Sequence, residues 1–472
     1  MPVDTKHPAY EGAARLWAKC RDVVAGQEAV HAGGKTYLPQ PSGYSTSEYE
    51  AYRDRALFYN ATGRTVDGMS GLVFRRPPAV ELPASAEFLL ADVDSGGTPL
   101  LTLCEKTVDD LLVTGRVGLL ADYPTIPPGA TAADARSAGA RPRVRMYRAE
   151  DIINWRVDEV RNRWQLTLVV LAECAEIRKD EFTAERVERM RVLSLASGKY
   201  EVSLWQENES THEWVPVNEP QQPRMNGKPM DFIPFVICGP MGSAPGVVKP
   251  PILDMVNVNL SHYRTTADYE HGLHFTGLPT PIVTGHSFEQ GETFALGSSI
   301  VKAFANPDAK VFFLEFAGEG LTNLSKRLEE KEQMMVSLGA RMLASQQRGV
   351  EAAETAAIHR SAENSVLASL ANAAGGALTA ALTWCVQWTG SQEPARVPLN
   401  TDYLPTGLSA QELTALVAAW QSRAISHETL YDNLQRGEIA QQGVMFDSER
   451  ERIDAQGPAL GSLGGQGAAG AA

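Results

Sequence analysis

The chain has 472 residues, 43% hydrophobic and 21% charged. That balance supports packed cores and excludes wholesale disorder, collagen-like sequence and a simple coiled-coil rod. Lys and Arg number 43 against 57 Asp and Glu, a formal net charge of −14. This speaks against a surface built to wrap nucleic acid, because such binding comes from cations neutralising phosphates.

The length predicts about three domains. Cys20, Cys104, Cys174, Cys238 and Cys385 are widely spaced, odd in number and lack a CxxC pair. They predict free thiols in a reducing compartment and neither a disulfide framework nor a zinc module. No apolar signal core follows Met1, and no apolar run reaches the ~18–20 residues of a membrane span. The apolar stretch 371–386 is interrupted by Asn372, Gly375, Gly376, Thr379 and Thr383 and reads as a buried helix.

Residues 8–75 read as helices and loops. Tyr49, Tyr52, Ala56 and Tyr59 recur at helical steps, and Pro77-Pro78 stops the region. Leu100, Leu103, Val108, Leu111 and Leu112 mark another helix, which Gly115 ends. A strand is predicted over 117–124, then a Pro/Ala/Gly-rich loop over 125–139. Residues 143–238 alternate with period two at 143–147, 165–170 and 200–205, and 232–237 is a short apolar run, so several antiparallel strands are expected. Beyond Pro250-Pro251, Ile252, Met255, Val256, Leu260, Tyr263 and Ala267 form one helical stripe up to about residue 276. Short strands are predicted at 280–284, 299–301 and 311–315.

The next helix spans 321–343, with Leu321, Leu324, Leu328, Met335, Leu338 and Met342 on one seam that Lys331 breaks. A polar loop, 344–351, precedes an Ala-rich helix from about 352 to 388. A last ordered segment is expected over 409–453, opening on the capping-box pattern Ser409-Ala410-Gln411-Glu412. The Gly/Ala-rich residues 456–472 are expected to be disordered. The fold class expected is α+β.

Several motifs are weighed on their surroundings. Ala29 to Thr36 (AVHAGGKT) resembles a relaxed phosphate loop, but a poor strand precedes it and Tyr37-Leu38-Pro39 follows where a helix should start. Gly285-His286-Ser287-Phe288-Glu289 begins like a nucleophile elbow and lacks its closing glycine. His271 and His274, at i, i+3, have only Glu270 beside them, and with His262 they read as packed or interfacial histidines, so no metal is expected. The run 326–332 reads either as a solvated helix face, with Arg327 and Glu330 attracting at i, i+3, or as a channel wall facing a polyanion. Residues 251–320 hold eight acidic residues against Arg264, Lys302 and Lys310, a polar or partner-facing module.

The order of these segments resembles the portal proteins of tailed bacteriophages, the head-to-tail connectors. Sequence wording strengthens the likeness: YRDRALFYN at 52–60, GLVFRRPP at 71–78, DDLLVTGR at 109–116, IPF at 233–235 and PILDMVNVNLSHYR at 251–264. Residues 410–430 also resemble the C-terminal region of the family. The likeness spans about 8–455 and rests on the ordered set.

The resemblance implies a wing over 1–250, with a helical N-terminal part and a β-rich part at 143–238. Stem helices would lie at 251–276 and 321–343, with a small β-rich clip, 277–320, between them. A tunnel loop, 344–353, and a long wing helix, 354–389, would follow, then an α-helical crown over 390–455 and the tail 456–472. It implies a homo-oligomeric ring, twelve-fold in the virion, at one capsid vertex, assembled in the bacterial host cytoplasm. Double-stranded DNA passes through such a ring during packaging and ejection. Expected partners are the terminase large subunit, head-completion or adaptor proteins, and the major capsid or scaffolding protein, with no membrane.

Gln346, Gln347 and Arg348 are the expected loop contacts with DNA. Lys326, Arg327, Lys331 and Arg341 are the candidates for the stem lumen, and Phe312, Phe313 and Glu315 for partner binding at the clip. No catalytic residue, cofactor or metal is expected, and translocation energy would come from a separate ATPase. Two other readings stay open: a capsid-associated adaptor or scaffold without a channel, and a hydrolase using Ser287 with a histidine.

Overall fold

The chain folds as a mixture of helices and antiparallel sheets, an α+β protein. The structure, a computed structural model, describes residues 2–124, 139–208, 210–240, 242, 245–276, 280–285, 306–314, 319–343, 365–403, 410–437, 439–441 and 444–455. Helices α1 (Pro8–Ala25), α2 (Gln27–Ala32), α3 (Thr46–Arg55), α4 (Ala61–Val73), α5 (Phe88–Ala91) and α6 (Leu100–Thr114) come first. Strands follow: β1 (Val117–Asp122), β2 (Arg143–Arg148), β3 (Ile152–Val160), β4 (Arg163–Arg178), β5 (Ala184–Ser194) and β6 (Glu201–Glu207). The shorter β7 (Trp214–Pro216), β8 (Arg224–Met225), β9 (Lys228–Pro229) and β10 (Phe235–Cys238) complete that stretch. Then come α7 (Leu253–Thr276), β11 (Thr280–Thr284), β12 (Lys310–Leu314), α8 (Glu319–Leu343) and α9 (Val366–Trp388). The chain closes with α10 (Ala410–Gln421), α11 (His427–Arg436) and α12 (Phe446–Ala455).

Two units are distinguishable: a sheet unit of Met1–Trp17, Val66–Pro251 and Arg341–Ala472, and a helical unit of Ala18–Thr65 and Ile252–Ala340.

In the sheet unit, β1 is the centre of a three-stranded antiparallel sheet ordered β10-β1-β2. Every residue of β1 but the last is buried, so this strand reads as a continuous apolar run. Gly118 sits where a Cβ would lie 2.3 Å from Cζ of Phe235, so only hydrogen fits. Gly115 ends α6 in the left-handed region (φ 71°), its N–H donating to Leu111 O at 3.0 Å. Helix α9 packs on α6 and on β1, β2 and β10. By length and composition alone it is apolar enough to cross a membrane. Here its apolar residues, among them Leu367, Leu370, Leu378, Leu382 and Val386, are buried in this unit.

The second sheet is a meander, β3-β4-β5-β6-β7. Trp17, Ile152, Trp155, Val169, Leu171, Leu193 and Phe235 belong to one buried cluster between the strands and the N-terminal helix. A charged network flanks it. Arg191 Nε donates to Glu173 Oε1 at 2.7 Å, and Tyr147 also donates to Glu173. Burial alone would raise the Glu173 pKa, but the bonds from Arg191 and Tyr147 and the charge of Arg145 hold it below the usual carboxylate value.

The predicted helix over 49–59 is broken. Helix α3 stops at Arg55, Ala56 turns extended (φ −72°, ψ 112°), and Phe58 N donates to the Gln27 side chain at 3.1 Å. Asn60 then opens α4, accepting from Gly63 N at 2.8 Å. The predicted segment 409–453 likewise divides into α10, α11 and α12, with Ser426 capping α11 through Thr429 N at 3.0 Å. Ser409 and the strand expected at 299–301 lie outside the described residues.

Candidate functional site

The strongest arrangement lies in the helical unit, where two long helices bracket a β-hairpin. Helix α7 has 24 residues and α8 has 25, about 36–38 Å each at 1.5 Å per residue. Between them β11 and β12 pair antiparallel, Thr280 opposite Leu314 through Thr284 opposite Lys310.

Helix α7 is held by polar contacts at points along its length. Asn259 is fully buried. Its Oδ1 accepts from Thr62 N at 3.1 Å and Thr62 Oγ1 at 2.8 Å, and its Nδ2 donates to Tyr59 O at 2.8 Å. Arg264 Nε donates to Tyr37 O at 2.7 Å. Tyr52 donates to Asp268 Oδ1 at 2.6 Å, and Tyr44 Oη lies 2.7 Å from His271 Nε2. The Tyr52 hydroxyl is pushed far above its ordinary pKa by burial, then by the Asp268 carboxylate it bonds, so it acts as a fixed donor. These bonds satisfy groups that would otherwise be costly to bury.

Lys331 requires a correction. It breaks the apolar seam of α8 in the sequence and is expected on a lumen-facing surface, yet it is buried, at 7% exposure. Its Nζ donates to Ser261 O at 2.8 Å and Thr265 Oγ1 at 2.5 Å, both on α7. Burial lowers its pKa, with a further push from Arg327. One turn of partners on α7 thus converts a seam-breaking cation into an interhelical tie. Beside it, His262 Nε2 is 3.5 Å from Glu332 Oε1. Burial lowers the His262 pKa while Glu332 pulls it upward.

The remaining sequence candidates on α8, Lys326, Arg327 and Arg341, are exposed, and Arg327 Nη1 pairs with Glu330 Oε2 at 2.6 Å. With Lys331 withdrawn, the exposed charges of α8 from Lys326 onward are Lys326, Arg327 and Arg341 against Glu329, Glu330 and Glu332, 3 − 3 = 0. Phe312 is half exposed on β12, and Phe313 pairs with Pro281 in the ladder. Gln346, Gln347, Arg348, Glu315 and Ser287 lie outside the described residues.

The phosphate-loop likeness has the wrong scaffold. Its residues follow the helix α1 and form α2 and a 3-10 turn, Gly34–Thr36. A phosphate loop needs a strand before it. Lys35 Nζ instead sits 5.7 Å from the centre of the Tyr49 ring. His271 is ringed by Tyr44, Tyr52 and Phe275. Among the described residues no group of three His, Cys, Asp or Glu is placed to hold a metal ion.

Sequence reasoning missed Asn259 and the pairing of His262 with Glu332. Asn259 had a weak signal, a polar residue inside the apolar stripe of α7; Glu332 had none, since its partner is 70 residues away.

The profile of a domain of unknown function (DUF4055) matches residues 251–389. No curated protein matches the chain. Among solved structures, the virion of a native gene transfer agent particle contains a chain with 13% identity and a TM-score of 0.38, covering 87% of this chain and 99% of that one. The neck of the empty particle, computed with C6 symmetry, contains one at 14% identity and a TM-score of 0.38, with the same coverage. The neck of the native particle, computed with C12 symmetry, contains one at 13% identity and a TM-score of 0.36, covering 87% of this chain and 98% of that one.

Proposed function

We propose that the chain is a portal-type protein of a phage-like particle. Copies assemble into a ring, twelve-fold in the particle, at one vertex of the virion. Double-stranded DNA moves through the ring during packaging and ejection. The protein has no active site of its own, and a terminase supplies the work. The hairpin β11–β12, with Phe312 half exposed on it, is the docking element for the motor and for head-completion proteins.

The observation that carries the reading is the pair of long helices bracketing that hairpin, together with the balanced exposed charge of α8 from Lys326 onward. Rotational symmetry repeats each exposed residue as a belt. A wall rich in Lys and Arg would release counterions from DNA and bind it tightly and salt-dependently. Equal numbers of cations and carboxylates avoid that well, so a duplex slides in either direction. Withdrawal of Lys331 into the helix pair removes one cationic belt per ring.

Electron microscopy of the purified full chain, with a mass measurement, tests the reading. Closed rings with a central opening wide enough for a duplex are expected, with no stable retention of free duplex DNA at physiological salt. Solitary copies at every concentration tried would overturn it.

A further inference from the structure

Two arginines of the sheet unit present the same edge of the guanidinium, Nε with Nη2, to a carboxylate. Arg191 donates from Nε to Glu173 Oε1 at 2.7 Å and from Nη2 to Glu173 Oε2 at 3.3 Å. Arg143 turns that edge to Asp122 Oδ2, at 3.1 and 2.9 Å. The two N–H bonds on this edge are parallel and match the oxygens of a planar acid.

Arg116, in the same unit, breaks the pattern. It follows Gly115 at the corner between α6 and β1 and is 2% exposed. Its Nη1 donates to Pro245 O at 2.7 Å and Gly246 O at 3.3 Å. Its Cζ lies 4.1 Å from the centre of the Trp155 ring. Nε and Nη2 are buried and have no hydrogen-bond partner among the described residues. Burial lowers the Arg116 pKa to about 10, and no described carboxylate offsets that push. At Arg191 burial pushes the same way, and Glu173 leads the groups that reverse it. A buried cation is costly unless an anion meets it, and unbonded donors add to the cost.

The His7 ring stacks on Trp155 at 3.9 Å. Two groups about 4 Å from one ring centre are too close to share a face, so His7 and Arg116 take opposite faces. The exposed segment that bonds Arg116 is the strap 245–250, in which Gly246 and Lys249 are exposed and Val247 and Val248 half-buried.

We propose that Arg116 binds one carboxylate side-on through Nε and Nη2 while Nη1 keeps the strap. The carboxylate belongs to a small acid or to a side chain of a second copy of this chain. Entry requires the strap to lift, a local opening of the kind that exposed loops undergo. One negative charge cancels one guanidinium, whereas a phosphate dianion would leave net charge buried, so a carboxylate is favoured. The site stands apart from the channel reading and does not depend on it.

The test titrates the full chain with acetate at constant ionic strength, made up with chloride, and follows chemical unfolding and amide exchange. Acetate is expected to raise the folded-to-unfolded ratio about tenfold at ten times its dissociation constant, to saturate, and to slow exchange at Val247 and Val248. Arg116→Lys keeps the charge without the paired edge, and its response is expected to be lost. An equal response in both proteins would be a general salt effect and would overturn the proposal. Should Arg116→Lys fail to fold, the wild-type chain decides: acetate that does not saturate, or inorganic phosphate that stabilises at least as strongly, overturns it. Acetate acting on solitary copies but not on assembled ones would assign the carboxylate to a second copy. Acetate acting on both would assign it to a small acid.

Discussion

The sheet unit and the helical unit both bury apolar side chains, but they differ in how much of their packing is fixed by buried polar contacts. In the sheet unit, Trp17, Trp155, Leu171, Leu193 and Phe235 share one apolar cluster, and burial of apolar surface supplies the stability. In the helical unit, α7 is fixed by side-chain bonds: Asn259 to Thr62 and Tyr59, Tyr52 to Asp268, and Lys331 to Ser261 and Thr265. Apolar burial accepts many shapes of roughly the right volume. A buried polar group accepts only the register that brings its partner within about 3 Å. The difference suits the proposed roles, since helices that line a channel must hold one register while their outer faces stay polar.

The sharpest way to break the contrast is to remove apolar volume from the sheet unit. Trp17 is fully buried, and Trp17→Ala is expected to cost about 3–5 kcal/mol. Chemical denaturation measures it, and a loss below about 1 kcal/mol would show that the cluster does not carry the unit.

The counterpart in the helical unit is Asn259→Ala, which leaves the Thr62 hydroxyl and N–H buried without their acceptor. About 2–3 kcal/mol is expected, with faster amide exchange in α7 and α4. Equal exchange in both proteins would mean that Asn259 is not the pin.

The smallest effect is electrostatic. His262 has its pKa lowered by burial, so below about 6.5, its ordinary value, the unfolded chain binds a proton more readily than the folded one. Stability is fully present above that pH and is lost as pH falls through the folded pKa. His262→Gln is expected to flatten this part of the stability profile between pH 7.5 and 5. A profile unchanged by the substitution would assign the pH dependence to other groups.

Much of the fold was legible because its signals are local. Leu100 to Leu112 repeat at helical steps and Gly115 stops them, as α6 and its left-handed cap show. The stripes ending near 276 and beginning near 321 correspond to α7 and α8, and the alternation at 165–170 to part of β4. The break at Ala56 was not legible, because the spacing of Tyr52, Ala56 and Tyr59 continues across it while Gln27, far away in sequence, takes the Phe58 N–H. At the candidate site, the exposure of Lys326, Arg327 and Arg341 agrees with a charged helix face. Lys331 belongs to the same charge run and goes the other way.

What the sequence determined by itself is the kind and order of the elements: a helical start, a β-rich middle, and two long helices around a short hairpin. Periodicity and turn residues act over a few positions, and they suffice for that. Which polar residues turn inward and which aromatic residues stay outside was decided by the tertiary structure. Lys331 is buried because Ser261 and Thr265 meet its ammonium group across the helix pair, and Phe182, in the turn between β4 and β5, is exposed because neither β3 nor β6 extends far enough to cover it. Such outcomes depend on partners tens of residues away, whose distance is fixed only when the chain folds.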